Sequence, residues 1–159
     1  QIADKVKPLV RKLGPGFLGV HLRKLKPTEE DEHYCRRKLG PLSWWYNTVH
    51  HVPWHATGQE CHMPPSLVAC YRTSTTQPLF LGTDGKNQTA VQSLVALGAL
   101  NFQPTPGFGP LKVVVVDMFV LVEAEVFIGN PLSTFSGIIC SLREARGQKC
   151  ANLLPKLYP

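Results

Sequence analysis

The sequence predicts an α/β protein, in which a Rossmann-like parallel sheet is covered by flanking helices. Two observations lead to this prediction: short apolar segments typical of buried strands alternate with amphipathic helical segments, and turns rich in Gly and Pro separate them. Alternating strands and helices imply right-handed crossovers between parallel strands. The length of 159 residues suits one domain with its own core.

The amino-terminal part predicts a helix followed by a strand. Apolar residues within 2–13 share one helical face, and Gly14 suits the left-handed conformation that often ends a helix. The apolar run Phe17–Leu22 predicts a buried strand that presents Arg23 at its carboxyl end. The charged stretch that follows predicts a surface helix over Glu29–Leu39.

Residues 41–78 differ from the rest of the chain in composition and in hydrophobic periodicity. This segment contains all three Trp, four of the six His, two of the five Cys and five Pro, without stable periodicity. Long stretches of this kind inside domains are functional loops or poorly ordered segments. We therefore expect an irregular Trp- and His-rich insertion, at about 41–78, within a single domain of residues 1–159.

Regular patterns return after the insertion. The predicted strands are Leu79–Thr83, Lys112–Val116 and Val126–Ile128, and the predicted helices are Asn87–Leu97, 117–124 and 134–146. In this interpretation the β-branched run Lys112–Val116 is a central parallel strand and Asp117 opens the next helix. Ser133 or Thr134 is expected to cap the final helix, and Gly147 to end it.

Charge and hydropathy exclude several classes of protein. The net charge is +6, and residues 1–40 contain ten basic and five acidic residues. This bias suits a nucleotide phosphate, an acidic partner or RNA, but the chain lacks the dense basic stripe with interleaved aromatics that favours a nucleic-acid partner. The longest nearly apolar run, 113–122, is shorter than the roughly 20 residues of a membrane-spanning helix, so no membrane span is predicted.

The five Cys leave several interpretations open. Their number is odd and no two are spaced as CxxC, which argues against a zinc ribbon. A disulfide among Cys35, Cys61 and Cys70 is one alternative. The His and Cys of the insertion contain enough ligands for zinc, but Pro53 interrupts the helical spacing that would place His51 and His55 together, so no metal site is predicted.

Ligands of open parallel sheets bind outside the carboxyl ends of the strands, so the residues that follow each predicted strand are candidates for a site. Four places qualify: 21–23, 83–86, Asp117 and 129–135. In the last, a Gly-containing turn leads to a hydroxyl-rich helix start, which presents backbone N–H groups suited to phosphate. It is not a Walker loop, because Gly-Lys-Ser/Thr is absent.

Each candidate also has a purely structural interpretation. Ser133, Thr134 and Asp117 all suit helix capping. Arg23 is well placed for bidentate contact with a pyrophosphate, and an ion pair is the alternative. For His21, packing inside the sheet is favoured over a catalytic role.

Three segments carry a family resemblance: Phe17-Leu18-Gly19-Val20-His21-Leu22-Arg23, then Leu81-Gly82-Thr83-Asp84-Gly85, and the run from Asp117 through Gly129-Asn130-Pro131-Leu132-Ser133-Thr134-Phe135 to Arg143-Glu144. Together they resemble the GDP-fucose protein O-fucosyltransferase family, including its plant and algal members. The resemblance covers roughly residues 15–26 and 79–147. It implies a GT-B glycosyltransferase of two Rossmann-like halves, of which this chain resembles the carboxyl-terminal one; the amino-terminal half is expected to be absent.

The resemblance also implies roles for individual residues. Arg23 would contact the GDP phosphates and assist the departure of fucose, which makes it the candidate catalytic residue. His21 would lie beside the nucleotide, and Asp117 would bind the guanine base or its neighbourhood. The phosphates and the ribose would be held by Ser133, Thr134 and Phe135.

The implied reaction is inverting transfer of fucose from GDP-fucose to a Ser or Thr hydroxyl, without a metal or other cofactor. Its expected partners are the nucleotide sugar, a protein or glycan acceptor and other subunits of a larger assembly, and its expected location is the lumen of the secretory pathway or the extracellular space. The sequence also allows a non-catalytic structural or interaction subunit derived from this fold, or a basic RNA-associated protein.

Overall fold

The computed structural model describes residues 2–23, 71–130 and 133–148, together with the single positions 65 and 68. The described helices are α1 (Ala3–Leu13), α2 (Gln88–Ala96), α3 (Pro110–Glu123) and α4 (Thr134–Glu144). The described strands are β1 (Leu18–Leu22), β2 (Leu79–Thr83), β3 (Ala99–Leu100) and β4 (Val126–Ile128). The helix expected over Glu29–Leu39 and most of the Trp- and His-rich insertion lie outside these residues.

The four described strands form one parallel sheet in the order β3-β2-β1-β4. Leu18 of β1 is paired with Leu79 of β2 on one side and with Val126 of β4 on the other. The chain therefore moves outward from β1 to β3 and then returns to place β4 on the opposite side of β1. This reversal between β1 and β4 is a topological switch point, where open α/β sheets form a crevice for ligands.

Two apolar clusters cover the two faces of the sheet. On one face, Leu18, Val20 and Leu22 of β1 pack with α2. On the other face the cluster is larger and includes residues of α3 and α4, with α1 packed against it. The alternation of side chains along β1 places Gly19 and His21 on this second face. The α/β fold predicted from the alternating pattern is confirmed.

Gly19 and Gly82 allow α3 to lie unusually close to the sheet. A Cβ atom added at Gly19 would lie 2.9 Å from Ala124 Cβ, and one added at Gly82 would lie 2.8 Å from Leu121 Cδ1 and 3.4 Å from Asp117 Cβ. The absence of side chains at these two strand positions thus brings the Asp117 side chain to β2.

The predicted strand Lys112–Val116 is wrong, because these residues belong to α3. The apolar run is a buried helix, and hydrophobicity alone does not distinguish a short buried strand from part of a buried helix. Gly109 and Pro110 could have indicated the start of a helix here, since Pro is favoured at the first helical position. Asp117 consequently lies inside α3 and does not cap a helix. The short edge strand β3 was not predicted.

Arg143 of α4 closes the carboxyl end of α3. Its guanidinium is 1% exposed and donates hydrogen bonds to the carbonyl oxygens of Val122 (2.9 Å) and Glu125 (2.9 Å), and also to that of Ala124. Carbonyls at the end of a helix have no partner within it, and a cation there also interacts favourably with the helix dipole. Arg143 therefore joins α4 to the end of α3 and to the residue before β4.

None of the described helices is both long enough and apolar enough to cross a membrane.

Replacement of Gly19 by Ala is expected to destabilise the protein, because the new Cβ would press on Ala124 without room to relax. Overpacking of this kind costs about 1–3 kcal/mol in the free energy of unfolding, measured by urea denaturation. Gly137→Ala is the matched control, since nothing lies within 4 Å of its added Cβ. This exposed helical site should gain about 0.5–1 kcal/mol. Equal effects at both positions would contradict the close approach of α3.

Replacement of Arg143 by Met is expected to lower the free energy of unfolding by about 3 kcal/mol or more, because the buried carbonyls would lose charged hydrogen-bond donors. Arg146→Met is the control in the same region. Arg146 forms an ion pair with Glu123 at 2.5 Å, but both side chains are more than 40% exposed. A pair of this kind contributes about 0–1 kcal/mol. A loss at Arg143 as small as that at Arg146 would show that the cap is unimportant.

Candidate functional site

A polar pocket of about 320 Å³ lies at the carboxyl ends of β1 and β2, where α3 and the first turn of α4 approach the sheet. The lining residues come from all four elements and from the turn after β2; they are His21, Arg23, Thr83, Asp84, Lys86, Val114, Asp117 and Phe135. The pocket adjoins the crevice at the switch point, which is where the sheet topology favours a ligand.

His21 forms the inner wall of this pocket. The ring is 5% exposed, and its Nδ1 lies 2.7 Å from Ser136 Oγ. It also contacts Phe135, with ring centroids 4.7 Å apart and an interplanar angle of 57°. Burial, followed by the charge of Arg23, lowers the pKa of His21 to about 4, although Asp84 opposes the shift. The imidazole is therefore neutral at physiological pH.

Asp117 lies opposite, in the middle of α3. Its carboxyl is 7% exposed, and Oδ1 has no hydrogen-bond partner among the described residues. Burial raises the pKa of Asp117 to about 7, and a hydrogen bond from the Thr83 backbone opposes the shift. A protonated carboxyl can both donate and accept a hydrogen bond, so Asp117 offers the pocket a polar group that is not fully charged.

A tight turn after β2 brings further polar groups to the pocket. The Lys86 N–H donates to Asp84 Oδ1 (3.2 Å) and the Gly85 N–H donates to Thr83 Oγ1 (3.1 Å). Gly85 has a φ of +69°, a conformation that favours glycine. Because these bonds hold the turn, both Asp84 and Lys86 remain at the edge of the pocket.

The start of α4 differs in part from its prediction. Ser133 is at the N-cap position, as expected, but its side chain makes no capping hydrogen bond. Ser133 Oγ is buried and has no partner within the described part of the chain, while its backbone N–H donates to the Asn130 carbonyl at 3.0 Å. Thr134 is exposed. Neither side chain lines the pocket, whereas Phe135, one residue further, does.

The structure thus brings four of the six predicted site residues to one pocket: His21, Arg23, Asp117 and Phe135. Asp117 arrives from the interior of a helix, and not from the end of the strand that was expected. Ser136, which contacts His21, was missed. The signal was present in the hydroxyl-rich start of the predicted helix, but only the three-dimensional contact distinguishes Ser136 from Ser133.

The combination of charges suits a phosphate-containing ligand. Arg23 and Lys86 supply cationic donors, and the adjacent amino end of α4 supplies the positive end of a helix dipole. In the described part of the chain, no three His, Cys, Asp or Glu side chains cluster in a way that would hold a metal ion. The Cys and His for which zinc was considered lie outside that part.

A second groove is larger than this pocket, and its described lining is mainly apolar. It has a volume of about 650 Å³ between α1 and α3 and is lined mainly by apolar side chains such as Ile2, Val6 and Phe119. Its described lining also includes the charged residues Lys7, Arg11 and Glu123, but the apolar side chains predominate. Its composition argues against a site for a charged nucleotide.

Comparison with solved structures relates the fold to a known protein. The apo form of POFUT1 aligns with a TM-score of 0.55 at 16% identity, its complex with GDP at 0.62 and 19%, and its complex with GDP-fucose at 0.57 and 19%. The chain has the fold of part of POFUT1. The alignments cover 94% of this chain but only 44–45% of the POFUT1 chains.

The similarity to POFUT1 lies in three-dimensional structure. No protein-family model matches the sequence, and no curated protein matches it. The structural superpositions establish the shared fold, but at 16–19% identity they do not distinguish plant or algal members from others. The chain spans less than half the length of the POFUT1 chains that it matches. The fucosyltransferase fold expected from the short motifs is confirmed at this level.

The perturbed pKa values predict how stability changes with pH. Folding favours the neutral form of Asp117, so the free energy of unfolding should fall as the pH rises from 3.8 to about 7. The contribution is about 1.4 kcal/mol per pH unit within this window. His21 acts in the opposite direction, because its folded pKa is lowered: its contribution increases from about pH 4 to 6.5.

The free energy of unfolding of Asp117→Asn, minus that of the unsubstituted protein, is therefore expected to be larger at pH 8 than at pH 5. Urea unfolding at several pH values measures this difference, from which the contributions of other groups cancel. Glu144→Gln is the control, since Glu144 is exposed and does not line the pocket. The same pH dependence with and without the Asp117 carboxyl would contradict its raised pKa.

Proposed function

We propose that this chain is a nucleotide-sugar-binding domain of a fucosyltransferase-like glycosyltransferase, that its donor is GDP-fucose, and that fucose is transferred to a Ser or Thr hydroxyl of a protein. The observation that carries the proposal is the pocket, which combines His21, Arg23 and Asp117 at the crevice of a POFUT1-like sheet. Solved POFUT1 structures with this fold contain GDP or GDP-fucose. We assign the donor site to this pocket by analogy with them.

The role of Arg23 follows from the charge of the leaving group. In the proposed reaction, the bond between fucose C1 and the β-phosphate oxygen breaks, and a bond from the acceptor oxygen to C1 forms. The electron pair of the broken bond stays on GDP, and the acceptor hydroxyl passes its proton to bulk water. Negative charge thus develops on the β-phosphate, where a guanidinium and a helix amino end stabilise it without a metal ion.

The other residues bind and do not react. We assign His21 to a position beside the nucleotide, and Asp117 to the guanine base or its neighbourhood, because a carboxyl there could accept hydrogen bonds from base N–H groups. Ser133, Thr134 and Phe135 are assigned to the phosphates and the ribose through the first turn of α4. For Ser133, the buried Oγ without a described partner supports this assignment.

A disulfide supports an oxidising compartment. Cys140 in α4 is 4% exposed and disulfide-bonded. Disulfides persist mainly in secreted proteins and in the secretory lumen. We therefore propose that the protein functions in the secretory lumen or outside the cell. We also propose that its 159 residues form one domain with a Trp- and His-rich insertion at about 41–78. A protein or glycan acceptor would be its second substrate.

Calorimetric titration with GDP is the direct test. The purified chain is expected to bind GDP saturably and to discriminate against UDP. Arg23→Ala should raise the Kd for GDP about tenfold or more, since a charge-assisted hydrogen bond contributes about 1.5–3 kcal/mol. Arg11→Ala is the matched control, because Arg11 is an exposed cation of α1 and lines the apolar groove.

The possible outcomes separate the proposed function from its alternative. Equal losses with both Arg variants would indicate nonspecific attraction of an anion to a basic chain and would refute the assigned donor site. A folded protein that binds no GDP would favour the structural or interaction subunit. Guanosine-selective binding that depends on Arg23 would support the donor site and justify an acceptor screen with GDP-fucose.

A further inference from the structure

A hydrogen-bonded chain behind the pocket connects three elements that are far apart in sequence. Ser136 Oγ in α4 lies 2.7 Å from His21 Nδ1 in β1, and it accepts the backbone N–H of Asn130, after β4, at 2.9 Å. The side-chain amide of Asn130 donates to the Arg23 carbonyl at 3.4 Å. The hydrogen-bonded network of Asn130, Ser136 and His21 thus links β1, the end of β4 and α4 at the switch point, and it also contacts Arg23, the residue after β1.

All three side chains of this network are deeply buried. The exposed fractions are 1% for Ser136, 3% for Asn130 and 5% for His21. A buried polar group that loses its partner costs about 1–3 kcal/mol, which makes such a network a well-defined arrangement. Gly129 makes room for it, since an added Cβ there would lie 3.0 Å from Ser136 Cβ and 2.9 Å from the Phe127 ring.

The hydrogen-bonding capacity of Ser136 favours donation of its hydroxyl proton to His21 Nδ1. A serine hydroxyl has one proton to donate, and its oxygen also accepts. Among the described residues, Ser136 Oγ bonds the Asn130 N–H, which is a donor, and His21 Nδ1, so Nδ1 is the acceptor that satisfies the buried hydroxyl proton. A neutral imidazole that accepts at Nδ1 has its proton on Nε2. This tautomer provides a donor next to Arg23 and Lys86, as an anion site requires.

We propose that Ser136 and Asn130 are positioning residues, which hold His21 as the Nε2–H tautomer and anchor the backbone at Arg23, so that both side chains are oriented for a phosphate-containing ligand before it binds. The inference deepens the proposed donor site and depends on it only for the identity of the ligand. Phe135 supports the same orientation by packing against the imidazole at 4.7 Å.

Nuclear magnetic resonance of the imidazole nitrogens tests the proposal without any ligand. In the full chain labelled with ¹⁵N, the His21 signals are identified by their absence from His21→Gln. They should show a protonated Nε2 and an unprotonated Nδ1 from about pH 6 to 8, well above the lowered pKa. Protonation of Nδ1 instead would overturn the proposal, whatever the protein binds.

Substitution then tests the positioning role. Ser136→Ala should produce a mixture of tautomers at His21, and should raise the Kd for GDP about three- to tenfold through the lost orientation. Ser141→Ala is the matched control, an exposed serine on the same helix, and should change neither readout. Asn130→Ala retains the backbone N–H to Ser136 but lacks the side-chain donor, and it adds no charge; it should weaken GDP binding without altering the tautomer.

The results distinguish failure of this inference from failure of the proposed function. An unchanged tautomer in a folded Ser136→Ala protein would overturn the positioning role. If that variant does not fold, the spectrum of the unsubstituted protein still decides the proposal. The expected tautomer in a chain that binds no GDP would refute the donor assignment while leaving the network intact.

Discussion

The buried guanidinium of Arg143 is the interaction on which the rest of the described structure depends. It binds carbonyl oxygens at the end of α3 and the carbonyl of Glu125, just before β4. One side chain from α4 therefore fixes the end of a neighbouring helix and the entry of a strand. Because α3 and α4 also form two walls of the pocket, the geometry of that pocket depends on a contact at the opposite end of α3.

Close packing transmits this constraint to the site. Gly19 and Gly82 bring α3 onto the sheet, and Gly129 brings the first turn of α4 beside β4. At each glycine, atoms of a neighbouring element fill the volume that a side chain would occupy, so the core stays closely packed. As a result, Asp117 approaches β2 and Ser136 reaches His21. Apolar contacts therefore bring these polar groups within reach of the sheet, where hydrogen bonds orient them.

The electrostatics of the pocket follow from this burial. His21 loses its charge and Asp117 tends to lose its own, while Arg23 and Lys86 remain the cationic side chains around them. The Asp84 carboxyl also lines the pocket, so the charged groups described there are of both signs. The donor site proposed above depends on the two cations and on the positive end of α4.

Local patterns in the sequence determined most elements near their observed positions, because amphipathic spacing, Gly14 and the short apolar runs reflect neighbouring residues alone. They also indicated that His21, near the end of β1, and Arg23, directly after it, lie at the carboxyl edge of the sheet, since that position depends on the local strand alone. The run 112–116 was assigned wrongly, because a helix buried between layers is as apolar as a strand. Only the tertiary structure decided that Asp117 is a buried helical carboxyl and that Ser136, rather than Ser133, meets His21, since both depend on contacts between residues more than thirty positions apart.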